Sequence, residues 1–127
     1  MKAREICKGV QWMGCVDWNR RLFDALIPLP DGTSYNAYLV RGSEKTVLFD
    51  AVDPAVSHVL LAQLADVPRL DYLVAHHVEQ DHSGAIPAVL AKYPEAIVLC
   101  TPKAKPLLTD HLAIAPERIR TVEDNET

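Results

Sequence analysis

The sequence has few cysteines, and their arrangement supports neither a disulfide scaffold nor a thiolate metal site. The three are Cys7, Cys15 and Cys100, an odd number without a C-x-x-C spacing. Small disulfide-rich domains and zinc ribbons need closely spaced cysteines in even numbers. We therefore predict that these thiols are reduced and buried, in a cytoplasmic protein.

The chain also lacks a long hydrophobic run and an excess of basic residues. No apolar stretch approaches the roughly 20 residues that a transmembrane helix needs, and the amino terminus has no signal-peptide core. The formal net charge is −4, with acids and bases interspersed, so no basic patch indicates a nucleic-acid site. These absences predict a protein that binds neither membranes nor nucleic acid.

The length of 127 residues allows one domain with a hydrophobic core, and it is too short for two. Apolar residues make up 49% of the chain, as in globular proteins. Hydrophobic patterning predicts strands over 4–7, 10–14, 34–41, 46–49, 70–75, 96–100 and 119–122, and a loop and turn over 26–32. Helices are expected from Pro54, from Ser83 and from Pro102. The alternation of helices and strands indicates an α/β layered domain.

The segment from His77 to His82 reads H-x-E-x-D-H and holds four potential metal ligands, namely His77, Glu79, Asp81 and His82. It follows a buried strand and precedes a helix, which places it at the edge of a sheet where α/β proteins bind ligands. In an extended segment the side chains at 77, 79 and 81 share one side, and His82 at the bend is free to point elsewhere. One loop can thus supply two neighbouring metals. The alternative is a polar loop with solvated acids and capping or packed histidines.

Residues close to this segment receive structural interpretations. His76 is expected to pack beside the ligands rather than to bind metal. Asp50 and Asp53 are expected to cap the helix that begins at Pro54. Ser83 lacks a G-x-S-x-G setting, so it is not expected to act as a nucleophile.

Several segments resemble the flavodiiron proteins, also called A-type flavoproteins. Residues 16–23 (VDWNRRLF) resemble the D-W-N-x-R-x-F segment of that family, and 33–40 with 45–50 resemble its first β-hairpin. The ligand loop at 77–84 matches the iron-ligand loop in order and spacing. The resemblance covers essentially the whole chain. It implies a metallo-β-lactamase-like αββα sandwich, of which residues 1–127 would form the amino-terminal half.

By resemblance, His77 and Glu79 bind one iron and Asp81 and His82 bind the other, with no catalytic residues beyond these ligands. Hydrolases of the same fold carry His where Glu79 stands, and a carboxylate favours an oxidisable iron over zinc. The intact relatives reduce dioxygen to water or nitric oxide to nitrous oxide. Their electrons come from FMN in a flavodoxin domain, usually across a head-to-tail dimer, and from a redox partner such as rubredoxin.

The sequence departs from this family pattern in two places. Asp24 stands where relatives often have a His near the metals. After Val122 the chain ends in the acidic turn 123–127, whereas relatives continue into a third His, a bridging Asp, a last His and the flavodoxin domain. We therefore expect an incomplete diiron site and a chain that is inactive alone. Two alternatives stay open: a metal-dependent hydrolase, and a non-catalytic split-gene fragment that associates with itself or with a complementing fragment.

Overall fold

The computed structural model describes residues 1–124. The last three positions of the predicted acidic turn, 125–127, lie outside the described residues. Its strands are β1 Arg4–Cys7, β2 Val10–Trp12, β3 Cys15–Asp17, β4 Leu22–Phe23, β5 Ile27–Pro28, β6 Thr33–Tyr35, β7 Tyr38–Arg41, β8 Thr46–Phe49, β9 Tyr72–Val74, β10 Ile97–Cys100 and β11 Ile119–Thr121. Seven of them form one sheet in the order β1-β2-β7-β8-β9-β10-β11. Pairing is antiparallel from β1 to β8 and parallel from β8 to β11.

Helices fill the connections between the parallel strands, which need a crossover because their ends point the same way. They are α1 Ser57–Gln63, α2 Gln80–Ser83, α3 Ile86–Lys92 and α4 Ala104–Leu112, with 3-10 helices at Pro54–Val56 and Pro116–Arg118. The mixed α/β architecture predicted from the order of elements is confirmed. Within residues 1–124, every helix is too short or too polar to cross a membrane.

The single strand predicted over 34–41 is wrong, because the chain passes from one sheet to another at Asn36 and Ala37. β6 pairs with β3 in a separate two-stranded sheet, whereas β7 pairs with β2 and β8. Trp12 Nε1 donates to Asn36 Oδ1 (2.9 Å), and the Met13 amide donates to the Ala37 carbonyl (2.7 Å). Only glycine fits at position 14, since an added Cβ would lie 2.0 Å from the Tyr35 carbonyl oxygen. These contacts hold the connection between β2 and β3 against the connection between β6 and β7. Both segments of the chain therefore change sheet at the same place.

The loop predicted over 26–32 contains strand β5, which pairs with β4 in a small hairpin. Asp24 and Ala25 form its turn with φ values of 48° and 57°. Two residues at positive φ produce the twist that a tight hairpin needs, but alanine rarely adopts this conformation. No local feature of the sequence therefore predicts this hairpin.

The three thiols differ in accessibility. Cys15 and Cys100 are buried as predicted, whereas Cys7 on the outer strand β1 is exposed, so that the prediction is wrong for Cys7. Burial raises the pKa of Cys100, and burial together with the nearby Asp17 and Asp53 carboxylates raises the pKa of Cys15. Both buried thiols are therefore poor nucleophiles near neutral pH.

We expect one thiol per folded chain to react readily with an aromatic disulfide reagent, and all three to react after denaturation. The reason is that Cys7 is exposed, whereas burial blocks access to Cys15 and Cys100 and raises the pKa of both thiols. The thiols can be counted by absorbance under both conditions. A Cys7→Ser variant serves as the control and should lose the rapid reaction. Two rapid equivalents in the native protein would contradict the burial of Cys15 and Cys100.

Candidate metal centre

The predicted ligands lie where β9 ends, at the carboxyl edge of the parallel strands. His77 and Glu79 precede α2, while Asp81 and His82 belong to it. The prediction of an extended segment through Asp81 is wrong, because the helix already begins at Gln80. Ser83 connects this first turn to the loop before it: its hydroxyl oxygen lies 2.9 Å from the Val78 carbonyl and 3.0 Å from the Glu79 carbonyl, and its amide donates to the Glu79 carbonyl at 2.9 Å.

The four side chains form two neighbouring pairs of one imidazole and one carboxylate. His77 Nε2 lies 3.3 Å from Glu79 Oε1, and His82 Nε2 lies 3.6 Å from Asp81 Oδ2. The two imidazole rings meet edge to face with centroids 5.3 Å apart. Within residues 1–124, no three histidine, cysteine or acidic side chains converge on one metal position. Each pair therefore presents two donors, which is fewer than a metal ion requires.

Asp50 lies near this centre, and the sequence analysis predicted its contacts wrongly. It was expected to cap a helix, but its Oδ1 accepts a hydrogen bond from the His76 amide at 2.8 Å. Its Oδ2 lies 3.4 Å from His76 Nδ1 and 3.6 Å from His82 Nδ1. The signal that could have indicated this role is the position of Asp50 directly after β8, whose parallel neighbour β9 leads into the ligand loop.

The capping role predicted for Asp53 is confirmed. Asp53 Oδ1 accepts from the Ala55 amide at 2.9 Å and so caps the 3-10 helix. His76 stacks on Phe49, with ring centroids 5.7 Å apart. The expected packing of His76 is therefore seen against Phe49.

The β4–β5 hairpin faces the candidate ligands Glu79 and Asp81 across a polar cavity of about 190 Å³. Asp24 lines this cavity together with Glu79 and Asp81. Arg20 Nη1 lies 3.5 Å from the buried Asp53 Oδ2 in the same wall. Acidic side chains therefore dominate the cavity, and Arg20 offsets part of their negative charge. Such an environment favours a cation over an anion.

Comparison with known proteins agrees with the geometry. Residues 30–126 match the Metallo-beta-lactamase superfamily. The chain is 44% identical to a nitric oxide reductase of Moorella thermoacetica, with 84% of this chain and 27% of the relative aligned. It is 35% identical to a rubredoxin-oxygen oxidoreductase of Megalodesulfovibrio gigas, which aligns with 100% of this chain and 32% of the relative.

Solved structures of similar fold agree with these sequence matches. The flavodiiron protein from Giardia intestinalis superposes with a TM-score of 0.89 at 26% identity, over 99% of this chain and 31% of that one. The rubredoxin oxygen:oxidoreductase from Desulfovibrio gigas superposes with a TM-score of 0.88 at 35% identity, over 98% and 31% respectively. The chain thus spans about a third of the length of these relatives.

Proposed function

Because this chain belongs to the metallo-beta-lactamase superfamily and, within it, to the flavodiiron proteins, we propose that it is the amino-terminal portion of a diiron oxidoreductase. The whole protein would reduce dioxygen to water, nitric oxide to nitrous oxide, or both. One of the two relatives is named a nitric oxide reductase, and the other is named a rubredoxin-oxygen oxidoreductase.

His77 and Glu79 would hold one iron, and Asp81 and His82 would hold the other. The observation that supports this assignment is the presence of two adjacent imidazole–carboxylate pairs at one sheet edge. Nitrogen and oxygen donors suit non-haem iron, so the chemistry of the residues fits the metal. Each pair needs further ligands from water, from residues outside this chain or from a partner. When bound, the irons would supply the electron-transfer and substrate-binding chemistry.

The chain's own residues provide position and environment for this chemistry. Glu79 has a side chain that is 59% exposed, and it can therefore accept metal from solvent with little rearrangement. Asp24, Glu79 and Asp81 line the cavity under the β4–β5 hairpin and keep it polar. We propose that no side chain beyond the four ligands takes a catalytic role.

Electrons would reach the irons from FMN bound by a flavodoxin domain, and ultimately from a rubredoxin-type partner. A head-to-tail homodimer would bring the flavin of one subunit to the irons of the other. We place the protein in the cytoplasm, where unpaired cysteines stay reduced. A hydrolytic function is less well supported, because a carboxylate at position 79 adds negative charge that favours iron redox chemistry.

We expect the metal-free chain to bind ferrous ion weakly and with less than two ions per chain, because each pair supplies only two donors. Anaerobic calorimetric titration measures both quantities. Replacing Glu79 with alanine should abolish binding at the first pair, since only His77 remains there. Folding should change little, because Glu79 is exposed.

The matched control is Glu95→Ala, which removes an exposed acid at the opposite end of the parallel strands. It should leave the titration unchanged. Sub-micromolar binding of two irons per chain would show that the ligand set is more complete than the two pairs indicate. Unchanged binding in the Glu79→Ala variant would refute the assignment of Glu79.

A further inference from the structure

We propose that the β4–β5 hairpin is a lid over the metal cavity, and that Arg20 holds this lid closed through its ion pair with the buried Asp53. Arg20 is thus a positioning residue, which acts on the site by placing the hairpin. The consequence for metal entry rests on the proposed function. The lid itself is a property of the metal-free chain and can be tested without metal.

The hairpin has little other support. Its strands are two residues each, and within residues 1–124 they pair with each other and with no other strand. Its outward side chains lie largely in solvent: Leu22 is 48% exposed, Leu26 81% and Ile27 55%. A two-stranded ribbon of this size is marginally stable in water by itself. Its closed position therefore depends on the contacts that tie it to the rest of the domain.

Arg20 connects the hairpin to the body of the domain. Its Nε donates to the Leu22 carbonyl of β4 at 2.9 Å, and its Nη1 lies 3.5 Å from Asp53 Oδ2 in the segment after β8. By contrast, the bond from the Leu29 amide to the Arg21 carbonyl (2.9 Å) closes the base of the hairpin on itself. One planar guanidinium therefore joins two parts of the chain that are distant in sequence.

Asp53 is a fixed anchor for this contact. Its side chain is 2% exposed, and its Oδ1 accepts from the Ala55 amide at 2.9 Å. Its Oδ2 is buried and has no hydrogen-bond partner among the described residues. A buried carboxylate oxygen in this state is costly unless a cation stays close. Opening of the hairpin would carry the Arg20 guanidinium away and raise that cost, so the closed position is favoured.

The interior behind Arg20 is strongly negative. Burial raises the pKa of Tyr35 to about 12, with further contributions from the Asp53 and Asp17 carboxylates, whereas Arg20 offsets part of this shift. Burial and the same two carboxylates raise the pKa of Cys15. Because Arg20 opposes this negative field, the field gives the guanidinium a second reason to stay against Asp53.

The closed hairpin covers one side of the candidate metal centre. Phe23 and Asp24 line the cavity of about 190 Å³ from the hairpin, and Glu79 and Asp81 line it from the ligand loop and α2. A hairpin that swings away would widen the approach from solvent to these two acids. Loss of the ion pair should therefore speed the entry of a cation from this side.

The first test measures amide hydrogen exchange of the metal-free chain by NMR. The reporters are the Leu26 amide, which donates to the Phe23 carbonyl at 3.0 Å, and the Leu29 amide at the hairpin base. The variant Asp53→Asn removes the charge, while its side-chain oxygen can still accept from the Ala55 amide. We expect both reporter amides to exchange about 3–10-fold faster, and the amides of the central sheet to be unchanged.

Arg20→Gln is the second variant, because it removes the charge from the other partner. It should accelerate hairpin exchange to a similar extent. The double variant should exchange no faster than either single variant, since one interaction is lost in all three. The matched control is Arg69→Gln, which removes the ion-paired guanidinium beside Asp71 at the opposite end of the parallel strands. It should leave hairpin exchange unchanged.

The second test measures the rate of ferrous ion binding by anaerobic stopped flow with tryptophan fluorescence. By electrostatics alone the two variants should act in opposite directions, because Arg20→Gln makes the cavity more negative and Asp53→Asn makes it less negative. An open lid accelerates binding in both. We therefore expect both variants to bind ferrous ion about 3–10-fold faster than the parent chain.

The results separate this inference from the proposed function. Faster hairpin exchange in a chain that binds no ferrous ion would support the role of Arg20 and count against the metal-binding function. Unchanged hairpin exchange in folded Asp53→Asn, or additive effects of the two substitutions, would overturn the role of Arg20 regardless of metal binding. In a chain that binds ferrous ion, slower or unchanged binding by Asp53→Asn would overturn the lid. If Arg20→Gln fails to fold, Asp53→Asn decides the question by itself.

Discussion

Gly84→Ala is expected to lower the free energy of unfolding by about 1–3 kcal/mol or more, and to weaken metal binding at the second pair. An added Cβ would lie 2.5 Å from Pro54 Cδ and 2.6 Å from the Gln80 carbonyl oxygen. A proline ring and a backbone carbonyl cannot move aside cheaply. The backbone at Gly84 is ordinary helix (φ −63°), so the effect arises from crowding and not from strain.

The consequence for the site follows from the place of Gly84 at the end of α2. Relief of the clash requires α2, which carries Asp81 and His82, to move away from the 3-10 helix at Pro54–Val56. Urea denaturation measures the stability, and calorimetric titration measures the metal affinity. Gly42→Ala is the control, since its Cβ would lie 3.3 Å from the nearest atom, the Lys45 carbonyl oxygen. Equal stability of the two variants would show that the contact with Pro54 is easily relaxed.

Leu73→Ala is expected to lower the free energy of unfolding by about 2–5 kcal/mol. Leu73 is fully buried in β9, between Leu48 of β8 and Val98 of β10. Truncation leaves a cavity at the centre of the sheet, where the neighbouring strands cannot close in. Chemical denaturation monitored by circular dichroism provides the measurement.

The control for this prediction is Leu107→Ala, the same truncation at a residue that is 42% exposed on α4. We expect it to change stability by about 0.5 kcal/mol or less. A comparable loss in both variants would contradict the central position of Leu73 in the core.

Much of the fold could be predicted from the sequence because the determinants are local. The apolar runs that became β8, β9 and β10 are short and β-rich, and each is bounded by turn or helix-start residues. Pro54 and Pro102 indicated that helices begin near these residues, because the fixed φ of proline suits the first turn of a helix. Asp53 was correctly interpreted as a cap, since its partner is only two residues away.

The candidate ligands could also be predicted from the sequence alone. The residue types and spacing in H-x-E-x-D-H determine which donors are available, and a strand followed by a helix places them at a sheet edge. In the structure His77 lies beside Glu79, and His82 lies beside Asp81. Their role in binding iron stays a prediction.

Only the tertiary structure decided how distant segments meet. The switch between sheets at Asn36 depends on Trp12, 24 residues earlier, and the orientation of Asp50 depends on His76, 26 residues later. Periodicity reports which side of a strand is buried, but it carries no information about which residue lies opposite. The left-handed conformation of Ala25 likewise goes against the backbone preference of alanine. The sequence by itself therefore determined which candidate ligands are available and the strand that precedes them, while tertiary packing decided that Asp50 lies beside His76 and His82.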